Sequence, residues 1–218
     1  MNKWLLGAAL IIAIIAVYYV VGDQLLKRQM TLTQDQAIAF ATQELNYRYP
    51  GAAIEVFDVK NTSTVAGENS WLVRANVAYG QNTLCPNLTV VDVDQKFNFV
   101  PREKDMITEN CRVRGCLGIA QCSVNYPEEA ILLPLDTTHN PYQPLQTAIS
   151  GLETEAGGAS KVQASATRYA DKYTSSYTNI TYTDVWLVSY NFENAPSSLD
   201  MILNKSNGVV LEFYRRLL

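Results

Sequence analysis

The chain opens with a run of apolar positions that no charged residue interrupts. After Met1, Asn2 and Lys3, residues 4–21 contain no Asp, Glu, Lys or Arg. At about 1.5 Å per helical residue, this run extends about 27 Å, close to the roughly 30 Å hydrocarbon core of a bilayer. Trp4 at one end and Tyr18–Tyr19 at the other suit the two membrane interfaces. The pattern predicts an uncleaved membrane anchor (signal-anchor) that continues as a juxtamembrane helix to residue 30.

A cleaved signal peptide is the competing interpretation of this segment, with an exit near Val20, Val21 and Gly22. The apolar run is longer than the 7–15 residues of a signal peptide and lacks an Ala-x-Ala exit. We therefore expect a single-pass protein of the cell membrane. Four cysteines in one part of the chain favour an extracytoplasmic location for the rest. Asn-x-Ser/Thr triplets at Asn61, Asn87, Asn179 and Asn204 would permit glycosylation there.

The pattern after the anchor changes to a helix followed by strands. Thr33-Gln-Asp-Gln36 has the form of a capping box, apolar residues recur at helical spacing from Ala37 to Tyr49, and Pro50-Gly51 ends the helix. Three segments rich in β-branched and aromatic residues follow, within 54–59, 71–79 and 88–100. They predict three antiparallel strands.

The second half repeats this order. Gly157-Gly158 precedes a predicted helix in which Val162, Ala166, Tyr169 and Tyr173 share one face, and further strands are predicted from residue 180 to residue 214. Trp71-Leu-Val in the first half has its counterpart in Trp186-Leu-Val in the second. A helix can cover the apolar face of a small antiparallel sheet, so each half is expected to form such a unit.

The expected fold class is α+β: an N-terminal transmembrane helix, then two helix-on-antiparallel-sheet repeats with a disulfide-stapled insertion. The expected boundaries are 1–30 for the anchor, 31–101 for the first module, 102–157 for the insertion and linker, and 158–218 for the second module. Pro134, Pro141 and Pro144 predict that residues 133–146 form an extended connector. Pro141-Tyr-Gln-Pro144 also has a spacing that polyproline-binding grooves accept.

The order of helix, Pro-Gly stop, strand, Trp-containing strand and a last strand at Asn204-Lys-Ser-Asn-Gly208-Val-Val resembles the PepSY module. The matching stretches are 33–101 and 158–216. A membrane helix followed by two such modules is similar in plan to small bacterial cell-wall regulators with tandem cystatin-like domains. The first half departs from the motif, because Asp92-Val-Asp94-Gln-Lys96 lacks the turn glycine. The resemblance implies inhibition or regulation of a peptidase or envelope enzyme, and it brings no catalytic residues.

Composition excludes several function classes. With 17 basic and 21 acidic residues the net charge is -4, and no basic run is present to bind nucleic acid. The one histidine, His139, excludes sites that need two imidazoles from one chain, as most catalytic zinc centres do. No nucleophile elbow or phosphate-binding glycine loop is present. We expect that the protein is not an enzyme and uses no cofactor. His139 is predicted to be a solvated loop residue, and Asp92 and Asp94 are predicted to lie on an exposed strand face.

Cys85, Cys111, Cys116 and Cys122 have spacings unlike those of zinc, iron–sulfur or haem sites. Two disulfides are the main prediction, with a metal site or free thiols as alternatives, and three pairings are possible. Because Cys85 precedes the third predicted strand and the others follow it, one bond should tie the insertion back onto the first sheet.

The expected function is that of a membrane-anchored regulatory protein that binds another envelope or membrane protein. Candidate contact residues are Arg74, Asn76 and Tyr79 on an open sheet face, and Arg112 and Arg114 in the cysteine loop, residues 111–122. The alternatives are a structural subunit of a cell-surface or membrane assembly and a hydrolase that uses carboxylates.

Overall fold

The computed structural model describes residues 32–62, 70–94, 106–119 and 121–218. Within these ranges most of the regular structure is antiparallel sheet, in one sheet of five strands and one of four. The strands are β1 (Ala53–Asn61), β2 (Trp71–Tyr79), β3 (Asn87–Val93), β4 (Met106–Glu109), β5 (Arg112–Val113), β6 (Val162–Thr174), β7 (Thr181–Phe192), β8 (Ser197–Asn204) and β9 (Val210–Leu217). The α-helices are α1 (Gln34–Arg48), α2 (Pro127–Leu132) and α3 (Gln143–Ala156).

The first sheet has the order β1-β2-β3-β4-β5, and α1 packs on one of its faces. The predicted capping box is confirmed: the Gln36 backbone N–H donates to Thr33 Oγ1 at 3.3 Å, and the Thr33 N–H donates to Gln36 Oε1 at 2.9 Å. Both bonds satisfy donors that the start of a helix leaves free. The contact between helix and sheet is made by buried apolar side chains on both sides: Ala37, Ala41, Leu45, Val73, Ala75, Val77, Val91 and Val93.

The second sheet has the order β6-β7-β8-β9. One of its faces forms a core with α2 and α3. Leu145, Ile149 and Leu152 of α3 are buried in the same cluster as Leu199 and Met201 of β8. The covering helices therefore precede this sheet in sequence and come from residues 127–156.

The predicted fold class of two helix-on-sheet repeats behind a membrane helix is wrong. The second predicted helix is strand β6, in which Val162 and Ala164 are buried while Gln163 and Ser165 are exposed. The apolar positions there fit both a period of two and a period near 3.6, and pairing with β7 selects the former. The described part of the chain is mostly antiparallel sheet, with few helices.

The proline-containing segment is not an extended connector. Pro134 lies in a 3-10 turn, Leu133–Leu135, and Pro144 lies in the first turn of α3. The first turn of a helix tolerates proline because its backbone nitrogen has no intrahelical partner. The prolines at 134 and 144 therefore start helical segments that cover the second sheet.

The predicted location as a single-pass membrane protein also needs correction. Across the described ranges, the structure contains no helix with the length and apolar character needed to cross a membrane. The predicted anchor itself, residues 1–30, lies outside the described residues.

Candidate functional site

Both predicted disulfides are confirmed, and all four cysteines are paired as Cys85–Cys111 and Cys116–Cys122. The first bond ties the β4–β5 turn to the segment that enters β3, as the sequence predicts. The sequence separations are 26 and 6 residues. In the chain-entropy model these loops contribute about 3.5 and about 2 kcal/mol to stability.

The cysteine loop belongs to the core of the second sheet. Cys116, Cys122 and Val124 are buried in the same cluster as the β7 and β8 side chains. The Trp186 indole nitrogen donates to the Val124 carbonyl oxygen at 3.1 Å, and the Tyr190 hydroxyl donates to the carbonyl oxygen of Ile131. These bonds fix the backbone of the loop and of α2 to the sheet.

His139 is buried, so its prediction as a solvated loop residue is wrong; its side chain is 1% exposed. The ring Nδ1 lies 3.1 Å from Asp136 Oδ2, and Nε2 lies 3.7 Å from Cys122 Sγ. Partial burial raises the pKa of Asp136, but hydrogen bonds from Thr138 and His139 outweigh this effect and lower the pKa below its usual value. The ring is therefore held between a carboxylate and a disulfide.

The predicted contact residues of the first sheet divide between its two faces. Arg74 and Asn76 lie on the face opposite α1, where Arg74 Nε donates to Asp92 Oδ1 at 2.8 Å. Asn76 Nδ2 donates to Glu55 Oε2 at 3.5 Å. Tyr79 is 38% exposed, and by strand alternation it belongs to the other face. The structure thus brings Arg74 and Asn76 together and leaves Tyr79 apart.

The two arginines of the cysteine loop also have different surroundings. Arg114 Nη1 donates to Glu109 Oε2 at 2.8 Å, which holds its side chain along the β4–β5 hairpin. Arg112 is exposed and lines a cleft of about 420 Å³ together with Gly118, Asp136 and His139. Arg112 therefore shares a cleft with the buried His139, whereas Arg114 supports the hairpin.

Sequence reasoning missed a cluster of tyrosines on the second sheet, on the face opposite α3. We call this cluster the tyrosine face; it consists of Tyr169, Tyr173, Tyr177, Tyr182 and Tyr214. The pairing of β6 with β7 is irregular between Tyr169 and Lys172. Strands β6 and β9 lie at opposite edges of the sheet, yet the Tyr173 and Tyr214 hydroxyls are 3.5 Å apart. The end of the β6–β7 hairpin must therefore fold across the sheet face, as bulges allow.

Glu212 of β9 holds the folded hairpin end in place. Its carboxylate accepts hydrogen bonds from Ser175 Oγ at 2.5 Å, Thr178 Oγ1 at 2.7 Å and the Tyr182 hydroxyl at 2.8 Å. Burial raises the pKa of Glu212, but the three hydroxyl donors outweigh it and lower the pKa below its usual value. Glu212 is therefore a fixed anion whose acceptor positions are largely used.

Asp200 forms a second fixed anion on the same face. It is 2% exposed, and it accepts from Ser189 Oγ at 2.7 Å, Ser198 Oγ at 2.8 Å and Arg216 Nε at 2.6 Å. Hydrogen bonding to Asp200 raises the pKa of the Arg216 guanidinium. The buried charge is thus paired and hydrogen-bonded, as a buried carboxylate must be.

The outer layer of the tyrosine face is aromatic. The rings of Tyr177 and Tyr214 are stacked with centroids 5.3 Å apart, and those of Tyr169 and Tyr173 have centroids 4.7 Å apart. Tyr177 is 69% exposed although its ring is supported from below by Tyr214. The face therefore offers a supported aromatic ring to solvent. Only the folded hairpin brings these residues together, so the linear sequence gives no direct signal for them.

Two buried carboxyls lie elsewhere, in the first turn of α2. Burial raises the pKa of both Glu128 and Glu129. Glu129 Oε2 accepts from the Asn125 and Tyr126 backbone N–H groups at 2.6 and 3.0 Å, which fixes the chain as it enters the helix. Glu129 therefore has a structural role, and it lies in α2, on the other side of the second sheet from the tyrosine face.

Comparison with known proteins gives no relative for this chain: no family model, no curated protein and no solved structure matches it.

Proposed function

We propose that the chain is an extracytoplasmic binding protein that holds a partner protein of the cell envelope on its tyrosine face. The observation that carries the proposal is the exposed Tyr177 ring stacked on Tyr214, above a layer that Glu212 fixes through three hydroxyl donors. The two disulfides support a location in an oxidising compartment.

Preorganisation supports a binding role for this face. Tyrosine gives a large contact area with few rotatable bonds, and tyrosine and arginine are common among the residues that dominate protein interfaces. Here the Tyr182 hydroxyl and the Tyr214 ring are already fixed, and Arg216 is paired with Asp200. Association then costs less conformational entropy than it would with free side chains.

The carboxylates of this face favour binding over hydrolysis. A carboxylate-dependent hydrolase needs a general acid whose pKa is raised toward the working pH. Glu212 has a lowered pKa, and its oxygens accept three hydrogen bonds. Asp200 is enclosed by two serines and an arginine. Both groups therefore serve as fixed acceptors that order the surface.

Site-specific photo-crosslinking in cells that produce the chain tests the proposal. A photoreactive phenylalanine analogue replaces Tyr177 in one variant and Tyr47 of α1 in the control. Tyr47 is 83% exposed, more than the 69% of Tyr177, so exposure alone favours the control position. We expect one discrete crosslinked protein from position 177 and none from position 47.

The proposal also requires that the crosslinking yield depend on the hydrogen bonds that hold the tyrosine face in place. Glu212→Ala removes the acceptor for three hydroxyls and should reduce the yield at position 177 severalfold. Equal crosslinking from both positions, or an unchanged yield with Glu212→Ala, would exclude the tyrosine face as the binding surface.

A further inference from the structure

The Cys116–Cys122 disulfide lies beside the only imidazole of the chain. Cys116, Cys122 and His139 are all buried, and one potential ligand atom from each lies within 4.8 Å of the other two. His139 Nε2 is the ring nitrogen nearest to sulfur, 3.7 Å from Cys122 Sγ. Two thiolates and one imidazole would form a ligand set suited to thiophilic metal ions.

The second ring nitrogen of His139 already has the partner that metal-binding histidines use. Nδ1 lies 3.1 Å from Asp136 Oδ2, and this contact orients Nε2 toward the sulfurs. In metal sites a carboxylate on the outer nitrogen fixes the tautomer and the direction of the ring. The contact with Asp136 is therefore the second feature, independent of the cysteines, that points to a metal ligand.

The backbone at Cys122 and beside His139 is held by hydrogen bonds in addition to the disulfide. Asn140, next to His139, donates to the carbonyl oxygens of Leu133 and Gly208 at 2.9 and 3.2 Å and accepts from the Val210 N–H at 2.8 Å. The Cys122 N–H donates to the Asn207 carbonyl oxygen at 3.3 Å. These bonds would keep Cys122 and His139 in place after the S–S bond is broken.

The other disulfide provides an internal contrast. Cys85–Cys111 joins residues 26 apart, and among the described residues neither of its sulfurs belongs to the group of close ligand atoms that contains His139. Cys116–Cys122 joins residues only 6 apart, so opening it frees a short loop. His139 also lines a cleft on the surface together with Cys111, Arg112 and Gly118.

We propose that Cys116, Cys122 and His139 form a redox-gated site for one thiophilic cation, Cu(I) or Zn²⁺. A dithiol reductant supplies two electrons and two protons, so that the disulfide becomes two thiols and the reductant becomes a disulfide. On binding, each thiol releases its proton, and the cation is held by two thiolates and the neutral Nε2 of His139. A disulfide oxidant reverses the step: it accepts two electrons from the thiolates and two protons from water to become a dithiol, and the re-formed Cys116–Cys122 bond releases the cation.

Competition titrations on the purified chain test this proposal. The oxidised chain and the chain reduced with a phosphine are each titrated anaerobically with Cu(I) against a bicinchoninate chelator, and with Zn²⁺ against a pyridylazo dye. We expect one equivalent bound after reduction and none before. The preferred ion is the one for which the competition with the chelator gives the lower dissociation constant. If the reduced chain binds neither Cu(I) nor Zn²⁺, the proposal is overturned.

Variants separate this site from binding by any exposed thiol. Cys116→Ser with Cys122→Ser keeps Cys85 and Cys111 and should bind neither ion. His139→Asn should weaken binding at least tenfold, and Asp136→Asn should weaken it about tenfold, the low end of the effect of outer-shell partners. Unchanged affinity in His139→Asn, or retained uptake in the double serine variant, would overturn the proposal.

Circular dichroism tests whether the reduced chain binds metal in its folded state or only after unfolding. The reduced chain should keep the near-ultraviolet circular dichroism of the oxidised chain, since Trp186 and Tyr190 are buried in the same cluster as Cys116 and Cys122. Co²⁺ should then give a thiolate charge-transfer band that His139→Asn shifts. Loss of the aromatic signal on reduction would also overturn the proposal, because the site requires the folded loop.

Discussion

The Trp186 indole nitrogen donates a 3.1 Å hydrogen bond to the carbonyl oxygen of Val124, shortly before helix α2 begins. Trp71 does the same in the first sheet: its indole nitrogen donates at 2.7 Å to the carbonyl oxygen of Leu32, just before α1. Each tryptophan lies in the second strand of its sheet. The two Trp-Leu-Val sequences therefore share a structural task, which is to fix the chain where it enters a helix.

The two tryptophans should differ in their contribution to stability. Trp186→Phe removes a buried hydrogen bond and leaves a void, which should lower the free energy of unfolding by about 2–3 kcal/mol. Trp71→Phe affects a half-buried ring and should cost about 1 kcal/mol. Urea unfolding followed by far-ultraviolet circular dichroism measures both. An equal loss of unfolding free energy in the two variants would contradict the stabilising role of the Trp186–Val124 hydrogen bond.

The sequence indicated α1 and its sheet because the signals there are local. The capping box at Thr33 and the stop at Pro50-Gly51 lie directly at the ends of the helix, and the alternation in β2 leaves Arg74 half-buried while it buries Val73 and Ala75. Such local sequence signals predict the structure correctly where the tertiary contacts favour the same conformation.

The second sheet and the tyrosine face could not be predicted in the same way. Val162, Ala166, Tyr169 and Tyr173 fit a helical stripe, and only pairing with β7 makes them a strand. Tyr173 and Tyr214 are 41 residues apart and meet only because the hairpin end folds over the sheet. Likewise, His139 is buried beside Cys122, 17 residues away, and the neighbouring Asn140 is bonded to Gly208 and Val210, contacts that the local sequence does not reveal.

Burial of Glu128 should make stability depend on pH. The pKa of this carboxyl is raised in the folded chain, so the folded state holds its proton more tightly than the unfolded state does. Stability is then highest below the unfolded pKa near 4.5 and falls as the pH rises toward the folded pKa. Glu128→Gln should remove its share of that fall, while the share of Glu129 remains, and should stabilise the chain at pH 7 by an amount on the order of 1 kcal/mol.

Denaturant melts between pH 4 and pH 7 check this prediction, with Glu155→Gln as the matched control. Glu155 is exposed and its pKa is lowered by the hydrogen bond from Arg215, so its replacement should leave the fall intact. A profile for Glu128→Gln that parallels the wild type would contradict the assignment.

A side chain at Gly208 should destabilise the fold. Its φ is +72°, and an added Cβ would lie 2.9 Å from Leu133 Cδ1 and 3.6 Å from Cys122 Sγ. Gly208→Ala should therefore cost about 2–4 kcal/mol, as strain in the left-handed region and a steric clash add. Gly118 also has a φ of +72° but open space around it, so Gly118→Ala should cost only about 1 kcal/mol. Equal midpoints of thermal unfolding for the two variants would be inconsistent with this packing.

The central claim is that the tyrosine face binds a partner protein, and the dissociation constant of the captured partner tests it most directly. Tyr177→Ala removes an exposed ring that stacks on Tyr214, and Tyr47→Ala removes an even more exposed ring on α1. We predict that Tyr177→Ala weakens binding at least tenfold, about 1.4 kcal/mol, while Tyr47→Ala changes it less than twofold. A dissociation constant that Tyr177→Ala leaves within twofold of the wild type would contradict the claim.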